Sequence, residues 1–241
     1  MWTKTIKSIK MKKVFFVIMS ICIFYTTAIS QSADLGATQH NTILKKLLDE
    51  KDKGNLNNFS QVISLANSEA TALGLVTQTT VLEQEFLIKT GFSNYNDFLN
   101  YLLNNNSLTN SEVIDMRNLV TSLEALGETN GFRDFENVIT QYQTNLNRTS
   151  QNFDKLNKFS VMLKSSLNFW LQNEVSDGGD VAARRCGCGF FCWLCVGVFD
   201  AAGFAAGGPL GSAIASFIAR CCICSCCKGI SQNSSYCTQT N

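Results

Sequence analysis

Ten cysteines crowd into the 52 residues from position 186 to position 237: Cys186, Cys188, Cys192, Cys195, Cys221, Cys222, Cys224, Cys226, Cys227 and Cys237. Thiols at this density do one of two things: they pair as disulfides, or as thiolates they hold a soft metal ion. Cys192-x-x-Cys195 and Cys221-Cys222-x-Cys224-x-Cys226-Cys227 have spacings that suit a zinc or metallothionein-like cluster. An even, local set in an exported chain reads instead as a disulfide framework. The compartment decides between the two, and the N-terminus sets the compartment.

Met11-Lys12-Lys13 followed by VFFVIMSICIFY gives a short basic region and a twelve-residue apolar core, and Ala28-Ile29-Ser30 supplies a small-x-small cleavage site before Gln31. Residues 1–30 therefore read as a signal peptide cleaved after Ser30, with either Met1 or Met11 as the start. The apolar core is too short for a comfortable membrane span, which disfavours an uncleaved anchor. Cys22, the eleventh cysteine, follows Ile21 where a lipid-modified cysteine wants a small residue, so it leaves with the signal. The expected destination is secreted or periplasmic, free or at a membrane. There the ten remaining cysteines form disulfides, with no metal and no cofactor expected.

Those bridges need elements to position them. From Phe190 to Ala219 the chain carries one charge, Asp200, and is split by Gly207-Gly208-Pro209. Glycine ends a helix and proline starts one, so the run reads as two apolar helices joined by a tight turn. Small residues at four-residue spacing, Gly203 with Gly207, Gly211 with Ala215 and Ser212 with Ser216, let helix backbones approach closely. Cys188, Cys192 and Cys195 share one helical face. In an antiparallel hairpin facing residue numbers have a constant total. Cys195 with Cys221, Cys192 with Cys224 and Cys188 with Cys227 give 416, 416 and 415, which ranks one pairing that staples the open end.

Between signal and tail the character changes. Residues 31–180 contain neither cysteine nor proline, and their apolar residues recur at threes and fours. Helices are predicted around Ile43–Leu48, around Val62–Ala70 and stopped by Gly74, around Val81–Leu87, and around Phe98–Leu103. Thr109-Asn110-Ser111-Glu112 is a capping box that opens a further helix through Leu126. A long stripe then runs from Phe132 to Trp170, and the polar NRTSQN at 147–152 leaves open whether it is one helix or two. The expected fold is all-α: a helical bundle over 31–175, a linker over 176–185, and a cysteine-rich apolar hairpin module over 186–241.

Catalysis finds little support. His40 is the only histidine and stands in polar company near the mature N-terminus, which predicts a solvated side chain rather than a catalytic base. Gly207-Gly208-Pro209-Leu210-Gly211 lacks the lysine of a phosphate-binding loop. Glu83 and Glu85 lie two apart and so point to different helix faces. After the signal, fifteen basic residues stand against nineteen acidic ones with no basic stripe, so nucleic acid is not an expected partner. The expectation is a non-enzymatic protein.

The linker SDGGDVAARR ends in Arg184-Arg185, a processing site after which a trypsin-like protease would release residues 186–241. Residues 31–185 hold thirteen basic and eighteen acidic groups, whereas 186–241 hold two basic and one acidic. Eighteen helical residues from Gly189 to Ala206 would reach about 27 Å at 1.5 Å per residue, close to the thickness of a bilayer's hydrocarbon. Phe190, Phe191, Trp193, Leu194, Val198 and Phe204 are the expected membrane-contact residues, with bundle core as the alternative role.

The stretch CGCGFFCWLCVGVFDAAGFAAGGPLG with the cysteine-rich end, placed after a signal and an acidic helical region, resembles the cysteine-rich halocins, archaeal peptide antibiotics with bacterial relatives. That resemblance implies an exported precursor whose C-terminal part is a compact membrane-active, bacteriocin-like peptide, and whose N-terminal part confers immunity. The partner is then the lipid bilayer of a target cell or of the producer. The alternative is a structural or interaction protein whose stapled hairpin anchors it to a membrane or a partner.

Overall fold

The computed structural model describes residues 33–75, 94–127, 132–176 and 190–220, and among these every regular element is a helix. In chain order they are α1 (33–52), α2 (Phe59–Ala72), α3 (Tyr95–Asn104), α4 (Asn110–Glu124), α5 (Phe132–Asn145), α6 (Phe153–Ser176) and α7 (Phe190–Ile218). The helix expected near Val81–Leu87, the signal peptide with Ser30, and the linker with Arg184 and Arg185 lie outside the described residues.

Local sequence sets the boundaries. The capping box at α4 forms as expected: the Glu112 amide donates to Thr109 Oγ1 at 3.3 Å, and the Thr109 amide donates to Glu112 Oε2 at 2.7 Å. Asn58 and Gln61 make a second such box at α2, through contacts of 3.0 and 3.2 Å. Gly74 takes φ 74° just beyond the end of α2, a left-handed conformation that suits glycine. The long stripe divides. Asn147 Oδ1 accepts from the Thr149 amide at 3.1 Å and from its hydroxyl at 2.8 Å, which turns the chain between α5 and α6.

The hairpin is present. Gly208, at φ 78° and ψ −171°, breaks α7 into arms over 190–207 and 209–218, and Pro209 opens the second arm. Ser212 Oγ donates to the Asp200 carbonyl at 2.6 Å across the arms. A Cβ on Gly203 would stand 3.3 Å from Ser212 Cα and 3.7 Å from Ala215 Cβ, so the backbones meet where the small residues are.

The hairpin is not a module beside the bundle; it is the centre of it. One continuous core contains both arms and the inner faces of the amphipathic helices. The α6 helix packs along the first arm, so that a Cβ on Gly197 would lie 3.3 Å from both Leu163 Cδ1 and Leu167 Cδ2. Phe98 of α3 stacks on Phe199 at 4.6 Å, and Trp170 of α6 stacks on Trp193 at 5.4 Å. The α1 helix lies so close over the turn that a Cβ on Gly36 would come within 2.5 Å of the Phe204 ring and 3.5 Å of Pro209 Cγ. The expected boundary at 176–185 thus divides the sequence by composition without dividing the core. The physical reason is mutual need: amphipathic helices must bury their apolar stripes, and the hairpin is the largest apolar surface available to them.

Candidate functional site

Within this apolar centre sits a compact polar cluster. Asp200, fully buried on the first arm, accepts from the Ser166 hydroxyl of α6 and, at 3.4 Å, from the Trp170 indole through the same carboxylate oxygen, Oδ2. His40 of α1 approaches that oxygen with Nε2 at 3.8 Å, and it too is 0% exposed. Ser212 and Ser216 of the second arm are buried as well. Four helical segments therefore meet on one carboxyl group.

The protonation states follow from the geometry. Asn41 Nδ2 donates to Ser165 Oγ at 3.0 Å, which leaves Asn41 Oδ1 as acceptor for a proton on His40 Nδ1 at 2.9 Å. Nε2 then carries a bare lone pair, and neither it nor Asp200 Oδ1 has a hydrogen-bond partner. At 3.8 Å the His40–Asp200 approach is too long for a hydrogen bond that would compensate two buried charges. Burial holds the imidazole down to about 4, against a smaller upward pull from Asn41. Burial pushes the Asp200 carboxyl up to about 7, against the downward pull chiefly of the Ser166 hydroxyl. In the closed bundle the pair is therefore neutral under mildly acidic conditions, with Asp200 protonated and His40 carrying its single proton on Nδ1.

His40 corrects a sequence expectation, since a solvated histidine was predicted. It falls at the spacing of Ala33, Ala37, Leu44 and Leu47, all buried, and so on the inner face of α1. That periodicity was the available signal, and the polar neighbours obscured it. Asp200 carried a signal too, as the single acid in the apolar run.

The expected membrane-contact residues are buried in protein. Trp193, Leu194, Val198 and Phe204 are 6%, 1%, 0% and 5% exposed, while the side chains of Phe190 and Phe191 lie outside the described residues. By length and composition Trp193–Ile218 is apolar enough to cross a membrane, with mean hydropathy 1.4, although Gly208 divides it. Cys195, expected in a bridge and ranked with Cys221, is instead a free thiol, half-buried beside Tyr95, whose hydroxyl donates to Glu124 Oε1 at 2.8 Å. Burial pushes that thiol up to about 11. Nothing is described for the side chains of Cys186, Cys188, Cys192, Cys221, Cys222, Cys224, Cys226, Cys227 and Cys237.

Among the described residues no three His, Cys, Asp or Glu side chains converge as a metal site would require. An open polar groove of about 760 Å³ between α1, α5 and α6 is lined by Asp34, Glu136, Thr140, Arg148, Lys164 and Asn168 among others. Across it Lys164 pairs with Glu136 at 2.7 Å. The chain matches no family model, no curated protein and no solved structure.

Proposed function

We propose that the chain is an exported precursor in which amphipathic helices shelter an apolar hairpin that acts on a lipid bilayer, in the manner of a bacteriocin-like peptide. One observation carries this reading. The most apolar helical pair among the described residues has the composition of a membrane-active element, yet α1, α2, α3 and α6 pack around it. A core that only needed to be apolar would not require Gly203, where the arms meet at backbone distance, or Gly197, against which the Leu163 and Leu167 side chains of α6 pack. Small residues at these contacts make the hairpin a compact unit that can leave one apolar environment for another without unpacking. On this reading the cysteines flanking both arms, Cys195 apart, staple the open end, and a cut after Arg185 frees the hairpin from its tether.

The test uses the whole secreted protein, before and after limited digestion with trypsin, on dye-loaded vesicles of anionic lipid. Intact protein at neutral pH should release little dye, and protein cut after Arg185 should release much more and inhibit bacterial growth. Membrane binding without leakage by either form would favour an anchor. Neither binding nor leakage would remove the bilayer from the account.

A further inference from the structure

We propose that the buried His40–Asp200 pair is a proton-exchange latch, one that makes escape of the hairpin into a bilayer acid-driven while leaving the bundle's stability in water almost independent of pH. The inference rests on the bilayer reading above and adds its trigger. The geometry supplies the latch: α1, which lies over the hairpin turn through Gly36, reaches Asp200 through His40 alone among its ionisable groups. Any departure of the hairpin from the bundle separates these two residues.

The neighbours leave the pair to itself. Facing it are Ser166 and Trp170 from α6 and Ser212 and Ser216 from the second arm, none of which titrates in this range. Arg220 stacks over the Trp170 ring at 5.0 Å. Lys164 of α6 is engaged with Glu136 of α5, and Glu112 of α4 with Lys155. Among the described residues no other charged side chain acts on either His40 or Asp200.

Two ways of opening then differ in protons. When the bundle unfolds in water, Asp200 releases a proton that the core had forced on it, and His40 takes up one that the core had refused. Between about pH 4 and the ordinary histidine value of 6.5 these changes have opposite sign and nearly cancel. When the hairpin passes instead into hydrocarbon, its carboxyl enters as the neutral acid, keeping its proton at pH 5 and regaining one at pH 8, while at pH 5 His40 is left in water and gains one. Nothing offsets that gain. With His40 at about 4 inside and 6.5 outside, its share makes transfer to the bilayer about thirty-fold more favourable at pH 5 than at pH 8, and the reprotonation of Asp200 that pH 8 demands contributes about ten-fold more.

Glu50, held down to about 2 by Lys53 and Asn55, titrates below this pH range, while Tyr95 at about 12 and Cys195 at about 11 titrate above it.

Two assays on the full-length secreted protein, run at pH 8 and at pH 5, separate the outcomes: urea unfolding in buffer, and dye release from anionic-lipid vesicles. The wild type should unfold at nearly the same urea concentration at both values yet release dye far more readily at pH 5. His40→Gln should lose the roughly thirty-fold share of the acid stimulation of leakage and keep only the roughly ten-fold share of Asp200, and it should become more stable on acidification, because Asp200 now titrates alone. Asp200→Asn should show the reverse slope, with unfolding about thirty-fold more favourable at pH 5. Leakage that rises equally with acid in His40→Gln, or wild-type urea stability that falls steeply from pH 8 to pH 5, overturns the latch. Absence of leakage at either pH sinks the bilayer reading, and opposite urea slopes in the two variants would then still support the paired exchange.

Discussion

Asp200 is a carboxyl group that the fold tolerates only because its neighbours donate to it. Ser166 does so directly, and its hydroxyl favours the ionised form. Ser166→Ala should therefore destabilise the bundle by about 1–3 kcal/mol. The loss should be larger at pH 8, where the carboxylate needs the donor, than at pH 5, where the acid is neutral; urea denaturation at the two values checks the difference. Cys195 gives a second residue-scale expectation: a thiol pushed up to about 11 by burial should react slowly with alkylating reagents in native protein and quickly once α3 and α7 are unfolded. Neither site was fully legible in the sequence. Asp200 stood out as a lone acid, but its partner did not. Pairing residues 40 and 200 depends on how α1 crosses the hairpin, and no local pattern encodes a crossing.

Helices and their ends were far more legible, because caps and periodicity are local. Thr109-x-x-Glu112 announces α4, and Glu112 is held further by Lys155 at 3.6 Å. Thr109→Ala should cost about 1 kcal/mol, seen as a lowered midpoint in thermal unfolding, with the helix itself intact. The split between α5 and α6 was harder to see, since the apolar stripe continues in register across it. The turn is decided by Asn147 accepting from Thr149, a side-chain bond that competes with the helix. In the hairpin, Gly203 is the position where the arms have no room to spare. Gly203→Val places three carbons near Ser212 Cα and should destabilise by about 1–3 kcal/mol, through separated arms rather than a lost cap. A variant as stable as wild type would mean that the arms do not pack as closely as 3.3 Å implies.

At the scale of the whole molecule, composition misled about independence. A cysteine-free acidic region followed by a cysteine-rich apolar one reads as two modules, and the charge balance encourages that division. Packing joins them, because Leu163, Leu167 and Trp170 of α6 have the hairpin as their partner. Residues 31–185 produced alone should therefore lack a cooperative unfolding transition, whereas full-length protein should show one. A sharp transition in the truncated chain would restore the view of a free-standing bundle.

The central claim is that the hairpin is sheltered in water and transferred to lipid. Hydrogen exchange read by mass spectrometry on the intact protein, with and without anionic-lipid vesicles at pH 5, tests it most directly. In buffer, peptides covering 193–218 should exchange slowest, as the innermost helical pair. With vesicles present they should stay protected while α1, α2 and α6 lose protection, since their apolar partner has moved into the bilayer. An exchange map that vesicles leave unchanged, or one in which the hairpin exchanges before its surrounding helices in buffer, would contradict the claim.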